Sequence, residues 1–381
     1  MMELIALFLD MGFAIHFATT ASKTNYSKDL ETKGIYVHSI ALNNDGFDDF
    51  IKNLQPSVVL FDRFIAEEQF GWRVAAHCPK ALRILDTEDL HFLRKAREVA
   101  YTTNSTLNLY TESAKRELAS IFRSDLSLII SSKEMELLTS IFQIPEGLLW
   151  YLPFLADDHH GQLVAYEDRV DFVTVGNFQH APNVDSVKRL HQEIWPMLRK
   201  QIPNSKLHVY GAYVPKTIQQ LYNEETGFLI HGWAPDVQEV LQKARVCLAP
   251  LQFGAGLKGK LWDATLVGTP TVSTSVGAEG FFGMVSVEDS TEDFVHKSVE
   301  LYKNKDTWYA QQQLAFRVVS EHFDRSMFAP QFQQKVSQLL QGLEAHRKQF
   351  FIGQIFQHQT LHATKYLSKW ITAKNKLENK G

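Results

Sequence analysis

The chain has 381 residues, 45% hydrophobic, 22% charged and 12% aromatic, which excludes disordered and fibrous classes and leaves room for two domains, each with its own core. A formal net charge of −4 speaks against nucleic acid as the main partner, because a phosphate backbone selects for a strongly basic surface. Two cysteines, Cys78 and Cys247, lie far apart in apolar sequence at no metal-ligand or redox spacing, and read as buried free thiols of a reducing compartment rather than a disulfide.

The start, MMELIALFLDMGF, carries two acids and no basic n-region, so it does not read as a signal peptide. No run reaches the roughly 18 apolar residues of a membrane span, and the expectation is a cytoplasmic protein. In the first half AIHFAT, GIYVHSI, SVVLFD, ALRILD and LSLIIS read as strands between helical stretches. A polar, aperiodic stretch from Leu155 to Asp171 marks a boundary, giving expected domains over 1–160 and 161–330.

From Asp171 the alternation is cleaner. DFVTVG, KLHVYG, FLIHGW, VCLAPL and TVSTS read as strands, with helices between them. Val184, Val187, Leu190, Ile194 and Leu198 recur at spacings of three and four and predict one buried helix stripe. Asp236 and Glu239 resemble a capping box. Such a rhythm means βαβ units and parallel sheets, so the fold class is α/β. The segment 331–381 reads as helical and lysine-rich with apolar residues such as Phe351, Ile355, Leu361 and Trp370. A helix packed back on the domains with a solvated basic face is favoured over a basic amphipathic helix on a membrane surface, although peripheral membrane contact stays open.

In open parallel sheets ligands bind beyond the carboxyl ends of the strands. Small residues mark those ends here: Gly176 and Asn177, Gly211, Gly232, Pro250, and Gly277 with Gly280. FGAG (Gly254, Ala255, Gly256) follows a buried strand and leads into a helix expected to begin near Lys258, so its N–H groups and the helix dipole suit a phosphate. Lys258 and Lys260 in the first turn oppose the dipole and are unfavourable unless an anion is bound. The helix is expected to run about three turns to Gly268, placing Asp263 one turn beyond Lys260. The loop is neither a P-loop nor a dinucleotide fingerprint.

The runs TVGNFQHAPNVDSVKRLHQEIWPML, HVYG and PLQFGAGLKGKLWDATLVGTPTVSTSVGAEG resemble the donor-binding half of GT-B-fold glycosyltransferases of family 4, also called glycosyl transferases group 1. LDTEDLHFLRKAR and ISSKEMELL resemble the same family's first half more weakly. The resemblance implies two Rossmann-like domains facing across a cleft, with the C-terminal segment packing back. It implies a nucleotide-diphosphate sugar as donor, an unidentified acceptor, and retaining, metal-independent transfer with no cofactor. Lys260 matches the lysine at the donor diphosphate, Lys258 a basic position beside it, and Gly176 and Asn177 the turn that approaches the phosphates. Asp263 matches the second acid of the family's acidic pair, near the ribose; Glu279 and Gly280 match a loop pointing into the cleft; Asp86 takes the place of a residue near the reacting sugar.

Three departures stand out. Ala255 replaces the first glutamate of the acidic pair, and the second is shortened to Asp263. The basic residues that many members carry after the VG turn are missing. MELIALFLDMGFAIHFAT resembles the family's first helix and second strand, so a first strand that would lie centrally in the first sheet is expected to be lacking, through a start assigned too late or a truncated chain in preference to natural loss. A degenerate, non-catalytic GT-B binder or scaffold is the alternative to the enzyme.

Other residues receive bland readings. Ser131 and Glu134 read as a capping box, Glu88 and Asp89 as acids in a first helical turn, and His159 with His160 as a solvated pair in the linker. His91 and Arg94, three apart on one helix face, are acceptor-side candidates for a sugar or phosphate.

Overall fold

The computed structural model describes residues 1–23, 30–157, 163–358 and Trp370. The first half contains α1 (Met2–Asp10), β1 (His16–Thr19), β2 (Tyr36–Ser39), α2 (Gly46–Leu54), β3 (Val58–Asp62), α3 (Arg63–His77) and β4 (Leu82–Asp86). It continues through α4 (His91–Thr103), α5 (Glu112–Arg123), β5 (Leu126–Ile129), α6 (Ser132–Ser140) and β6 (Leu149–Tyr151). All five expected strands form, and the three-residue β6, too short to show a pattern, is added to them.

The first-half sheet is in two pieces. β3-β4-β5-β6 is a parallel four-stranded sheet, whereas β1 and β2 pair in parallel only with each other among the described residues. Packing rather than a ladder joins the pieces: Leu4, Leu7 and Phe8 of α1 share a core with Leu82, Ile84, Leu126 and Leu128.

The second half comprises β7 (Val170–Val175), α7 (Ala181–Arg189), α8 (Trp195–Gln201), β8 (Leu207–Tyr210), α9 (Lys216–Gln219), β9 (Phe228–Gly232), α10 (Val237–Lys243) and β10 (Ala244–Ala249). Then follow α11 (Gly259–Leu266), β11 (Thr271–Ser273), β12 (Ser286–Val287), α12 (Thr291–Lys303) and α13 (Lys305–His322). The expected stripe is real: Val187, Leu190, Ile194 and Leu198 are buried in the core under Phe172, Leu207 and Val246. Asp236 caps α10, accepting from the Gln238 and Glu239 amides. The sheet order is β12-β11-β10-β7-β8-β9, all parallel. Successive strands run outward one way from β7 and the other way from β10, so a topological switch point lies between these two central strands, where a crevice opens at their carboxyl ends.

After the second sheet, α14 (Arg325–Gln349) returns to the first. Phe332, Val336, Leu339 and Leu343 complete the core around α1, β4 and β5. Arg347 forks onto Asp125 at 2.7 Å through both Nε and Nη2, and Arg325 pairs with Glu3 and Asp10. Thus the C-terminal segment packs back on the domains, with a kink at Gly342 and a short α15 (Ile352–Gln357) after it. The remainder of that segment apart from Trp370, and the linker pair His159 and His160, lie outside the described residues. Cys78 and Cys247 are both buried free thiols.

Candidate functional site

A cavity of about 580 Å³ occupies the switch point and extends to the first half. Gly176 and Asn177 follow β7, and Gly254, Ala255, Lys258 and Lys260 follow β10; Arg63, Glu88, Asp89, His91 and Arg94 face them. The expected strand-end glycines matter by contact. A Cβ on Gly211 would stand 1.9 Å from the Gly176 carbonyl oxygen, so only glycine lets these two turns meet.

The loop after β10 is clamped between the domains. Ala255 inserts into the hydrophobic core of the first half. Gly256 adopts φ +63 and a Cβ there would stand 2.7 Å from the Asp89 Cβ, so the left-handed conformation and the close approach both require glycine. Its N–H is not free, as the sequence reading expects: it donates to Glu134 Oε1 at 2.8 Å, which also accepts from the Leu90 amide at 2.9 Å. Glu134 therefore does not complete a capping box; Ser131 alone caps α6, and Glu134 ties the two domains.

Both lysines stand at the start of α11, whose N-cap Lys258 offers no side-chain cap. Lys258 Nζ donates to the Gly256 carbonyl at 2.6 Å and Lys260 Nζ to Asn183 Oδ1 at 2.7 Å. Burial pulls the pKa of each down to about 8, opposed at Lys258 by Glu279 and Glu134. α11 covers eight residues, shorter than expected, before Gly268 turns left-handed at φ +69. Asp263 lies on its cavity side.

On the opposite wall, Asp89 holds His91 at 3.4 Å and Arg94 at 3.0 Å, and Arg94 reaches His180 of the second half at 3.3 Å. Burial lowers the pKa of His91 and His180. Glu88 and Asp89 are not in a helical turn: α4 starts at His91, and Glu88 takes φ +56. The α4 N-terminus is closed to anions from outside, because Glu117 accepts from the His91 and Phe92 amides at 3.1 and 2.9 Å while Glu134 takes that of Leu90.

Asp86 lies at the end of β4 but is 7% exposed and not among the residues lining the cavity; its Oδ1 accepts from the Glu88 amide, and burial raises its pKa. Glu279 and Gly280 also stand back from the wall. Glu279 forms a two-pronged ion pair with Arg97 at 2.6 and 2.7 Å, and Arg97 donates to the Gly254 carbonyl at 2.8 Å as well. Gly280 sits against Leu257 and Ser131.

The glycosyl transferases group 1 family matches residues 169–304. Over those residues the chain resembles the group 1 glycosyltransferases, and its two parallel-sheet domains have the GT-B fold. By sequence, no curated protein matches it. Among solved structures, the chain is similar to HepE from Anabaena in complex with UDP and glucose, with 12% identity over 88% of this chain and 95% of that one and a TM-score of 0.65. It is similar to WaaG, a glycosyltransferase involved in lipopolysaccharide biosynthesis, with 15% identity over 88% and 94% and a TM-score of 0.61. Likeness to TarM has 12% identity and a TM-score of 0.59, covers 76% of this chain, and spans 57% of TarM. At these identities the likeness is one of fold.

Of the sequence-stretch candidates, Gly176, Asn177, Gly254, Ala255, Lys258, Lys260, Asp263, His91 and Arg94 converge on one cavity, with Gly256 behind it. Arg63, Asn183 and Arg97 escaped the sequence reading, and Glu134 was read only as part of a cap. Arg63, at φ +66 just after β3, had no motif; Asn183 belongs to no motif of its own; Glu134 and Arg97 act across the domain gap, which no local pattern reports.

Proposed function

We propose that the cavity binds a nucleoside-diphosphate sugar, with its diphosphate against Lys258, Lys260 and the glycine turns, and transfers the sugar to an acceptor held on the first-half wall. The UDP in the HepE structure supports that donor class. One observation carries the reading: two half-buried lysines at an uncapped helix N-terminus line a cavity that an opposing domain closes.

In such a transfer the bond from the anomeric carbon to the β-phosphate oxygen breaks while a bond to the acceptor oxygen forms, and charge grows on the departing diphosphate. Lysines and helix amides aimed at that charge stabilise the transition state without reorganising. Lys260 and Lys258 are assigned this part, and Asp263, one turn along α11, the ribose side. With two ammonium groups facing the diphosphate, we propose that transfer is metal-independent; the resemblance to the retaining family 4 enzymes supports retention. Asp86, beneath the wall, orders the Glu88 turn rather than touching the sugar.

Calorimetry with UDP and GDP, paired with a donor-hydrolysis assay, tests this. Micromolar-range binding of one of them, slow hydrolysis of its sugar conjugate, and weakened binding with loss of hydrolysis in Lys260→Ala at unchanged circular dichroism are expected. Undiminished turnover in Lys260→Ala refutes the assignment.

A further inference from the structure

We infer that Arg63 and Glu88 form the acceptor subsite of the cleft and that it takes neighbouring hydroxyls of an uncharged sugar; this rests on the donor reading of the opposite wall. β3 and β4 pair in parallel with Asp62 beside Asp86, so the turns that leave them run side by side. Each turn holds one non-glycine residue in the left-handed region, Arg63 at φ +66 and Glu88 at φ +56. Such backbone is disfavoured for side chains of this size and persists at sites where a side chain has to be aimed. Both residues line the cavity, and Arg63 Nε stands 3.6 Å from Glu88 Oε2.

The fold leaves bonding capacity in this pair. Arg63 donates to Asp62 through Nε and Nη2, both at 3.2 Å, and its Nη1 has no hydrogen-bond partner among the described residues. The Glu88 carboxylate is half-exposed and accepts no hydrogen bond among the described residues, the 3.6 Å ion pair being too long for one. A donor-only group beside an acceptor-only group suits a ligand whose atoms do both. One hydroxyl donates to the Glu88 carboxylate while its neighbour accepts from Arg63 Nη1. On a sugar ring the two are held at a fixed separation, so neither bond has to freeze a torsion.

Charge decides against an ionic acceptor. Of the residues lining this wall, Arg63 and Arg94 stand against Glu88 and Asp89, and behind them Asp62 and Asp86 outnumber the Met1 ammonium. Burial lowers the pKa of His91 and His180, which leaves both rings uncharged at pH 7. The wall therefore has no surplus positive charge for a phosphate or carboxylate; that surplus lies across the cleft in Lys258 and Lys260. The subsite also abuts the donor loop, since a Cβ on Gly256 would stand 3.4 Å from the Glu88 carbonyl oxygen. Hydroxyls held by Glu88 thus lie beside the place assigned to the donor, where transfer needs them.

Saturation-transfer NMR and calorimetry test this on the full chain saturated with UDP or GDP, whichever binds. The probes are methyl glucoside, methyl galactoside, methyl mannoside, glucose 6-phosphate, methyl glucuronide and glycerol. At least one neutral pyranoside should bind, and the charged sugars and glycerol should bind at least about tenfold more weakly. Glu88→Gln and Arg63→Met should each weaken that pyranoside about tenfold, with nucleotide affinity and the melting curve unchanged. Deoxy analogues close a cycle: the one that loses about tenfold on the native chain should lose less than about twofold on Glu88→Gln. Nucleotide binding with no pyranoside binding, a charged sugar or glycerol bound as tightly as the pyranosides, or full binding by the variants overturns the inference and leaves the donor reading standing. Failure of the native chain to bind either nucleotide overturns the donor reading and this inference with it.

Discussion

Raising the pH should strip the donor site of its charge. Lys258 and Lys260 each titrate at about 8, because burial disfavours the ammonium form. A lysine of that pKa is about 90% charged at pH 7 and about 10% at pH 9. If a diphosphate binds only the charged form of both, its affinity falls about tenfold per lysine between those pH values, about a hundredfold in all, equivalent to roughly 2.7 kcal/mol. The sign is fixed by the direction of the shift: the favourable charge is fully present below pH 7 and is lost as pH rises through 8. Calorimetric titration with UDP from pH 6.5 to 9.5 at constant ionic strength measures it. Lys260→Ala should lower affinity at pH 7 and leave a slope of about tenfold, from Lys258 alone. A bound diphosphate raises both lysine pKa values, so kcat should be flatter with pH than kcat/KM. An affinity that changes less than about threefold over this range, or a variant with the wild-type slope, refutes the lysine cradle.

Arg97→Met and Glu279→Gln should be coupled. The pair is partly buried and charge-assisted, so a double-mutant cycle on thermal unfolding should return about 1–2 kcal/mol of interaction energy; additivity would show that the pair holds nothing together. Gly211→Ala should cost about 2–3 kcal/mol, since the methyl collides with the Gly176 carbonyl, and should abolish UDP binding by displacing that turn. A stable variant with normal affinity would disprove the contact. Excess EDTA should leave donor hydrolysis within about twofold; a larger loss, restored by a divalent cation, would reject the metal-independent mechanism.

Periodicity and strand-end chemistry made the second half readable. The order of strands and helices, the buried stripe from Val187 to Leu198, and the turn at Gly176 all follow from local patterns whose physics is local too. Lys258 and Lys260 were legible for the same reason, being basic where a helix dipole disfavours them. What stayed hidden depends on the second domain. Ser131 and Glu134 have the spacing of a capping box, and a propensity argument has no reason to look further; yet the carboxylate turns outward, because the Leu90 and Gly256 amides meet there when the domains close. Likewise Glu279 reads as a cleft residue until Arg97, 182 positions away, claims it. The five strands of the first half were readable, but their division into two sheets, and the share of α1 and α14 in the core beside them, needed the packing.

The use of Gly256 by Glu134 changes how an anion must bind. A loop of free amides spreads a diphosphate's charge over several donors, whereas here one is already satisfied by a carboxylate of the opposing domain. That carboxylate is buried, burial raises its pKa to about 7, and its Oε2 lacks a hydrogen-bond partner among the described residues. A diphosphate arriving beside it adds negative charge and pushes that pKa further up. Two outcomes follow. Either the lysines and the remaining amides hold the diphosphate while Glu134 takes up a proton and keeps Gly256, or the diphosphate displaces Glu134 and loosens the clamp. Glu134→Gln separates them, because the amide oxygen still accepts from Gly256 but carries no charge: the first case predicts tighter UDP binding above pH 7 in the variant, where the native carboxylate is ionised, and no change at pH 6. The second predicts the opposite proton linkage in the native protein, a proton released on binding near pH 6 as the displaced carboxyl returns to its ordinary range in water, and none in the variant. With the lysines still charged at pH 7.5, the first course costs only a proton and leaves the interdomain bonds intact, which is why the cradle can remain closed around its ligand.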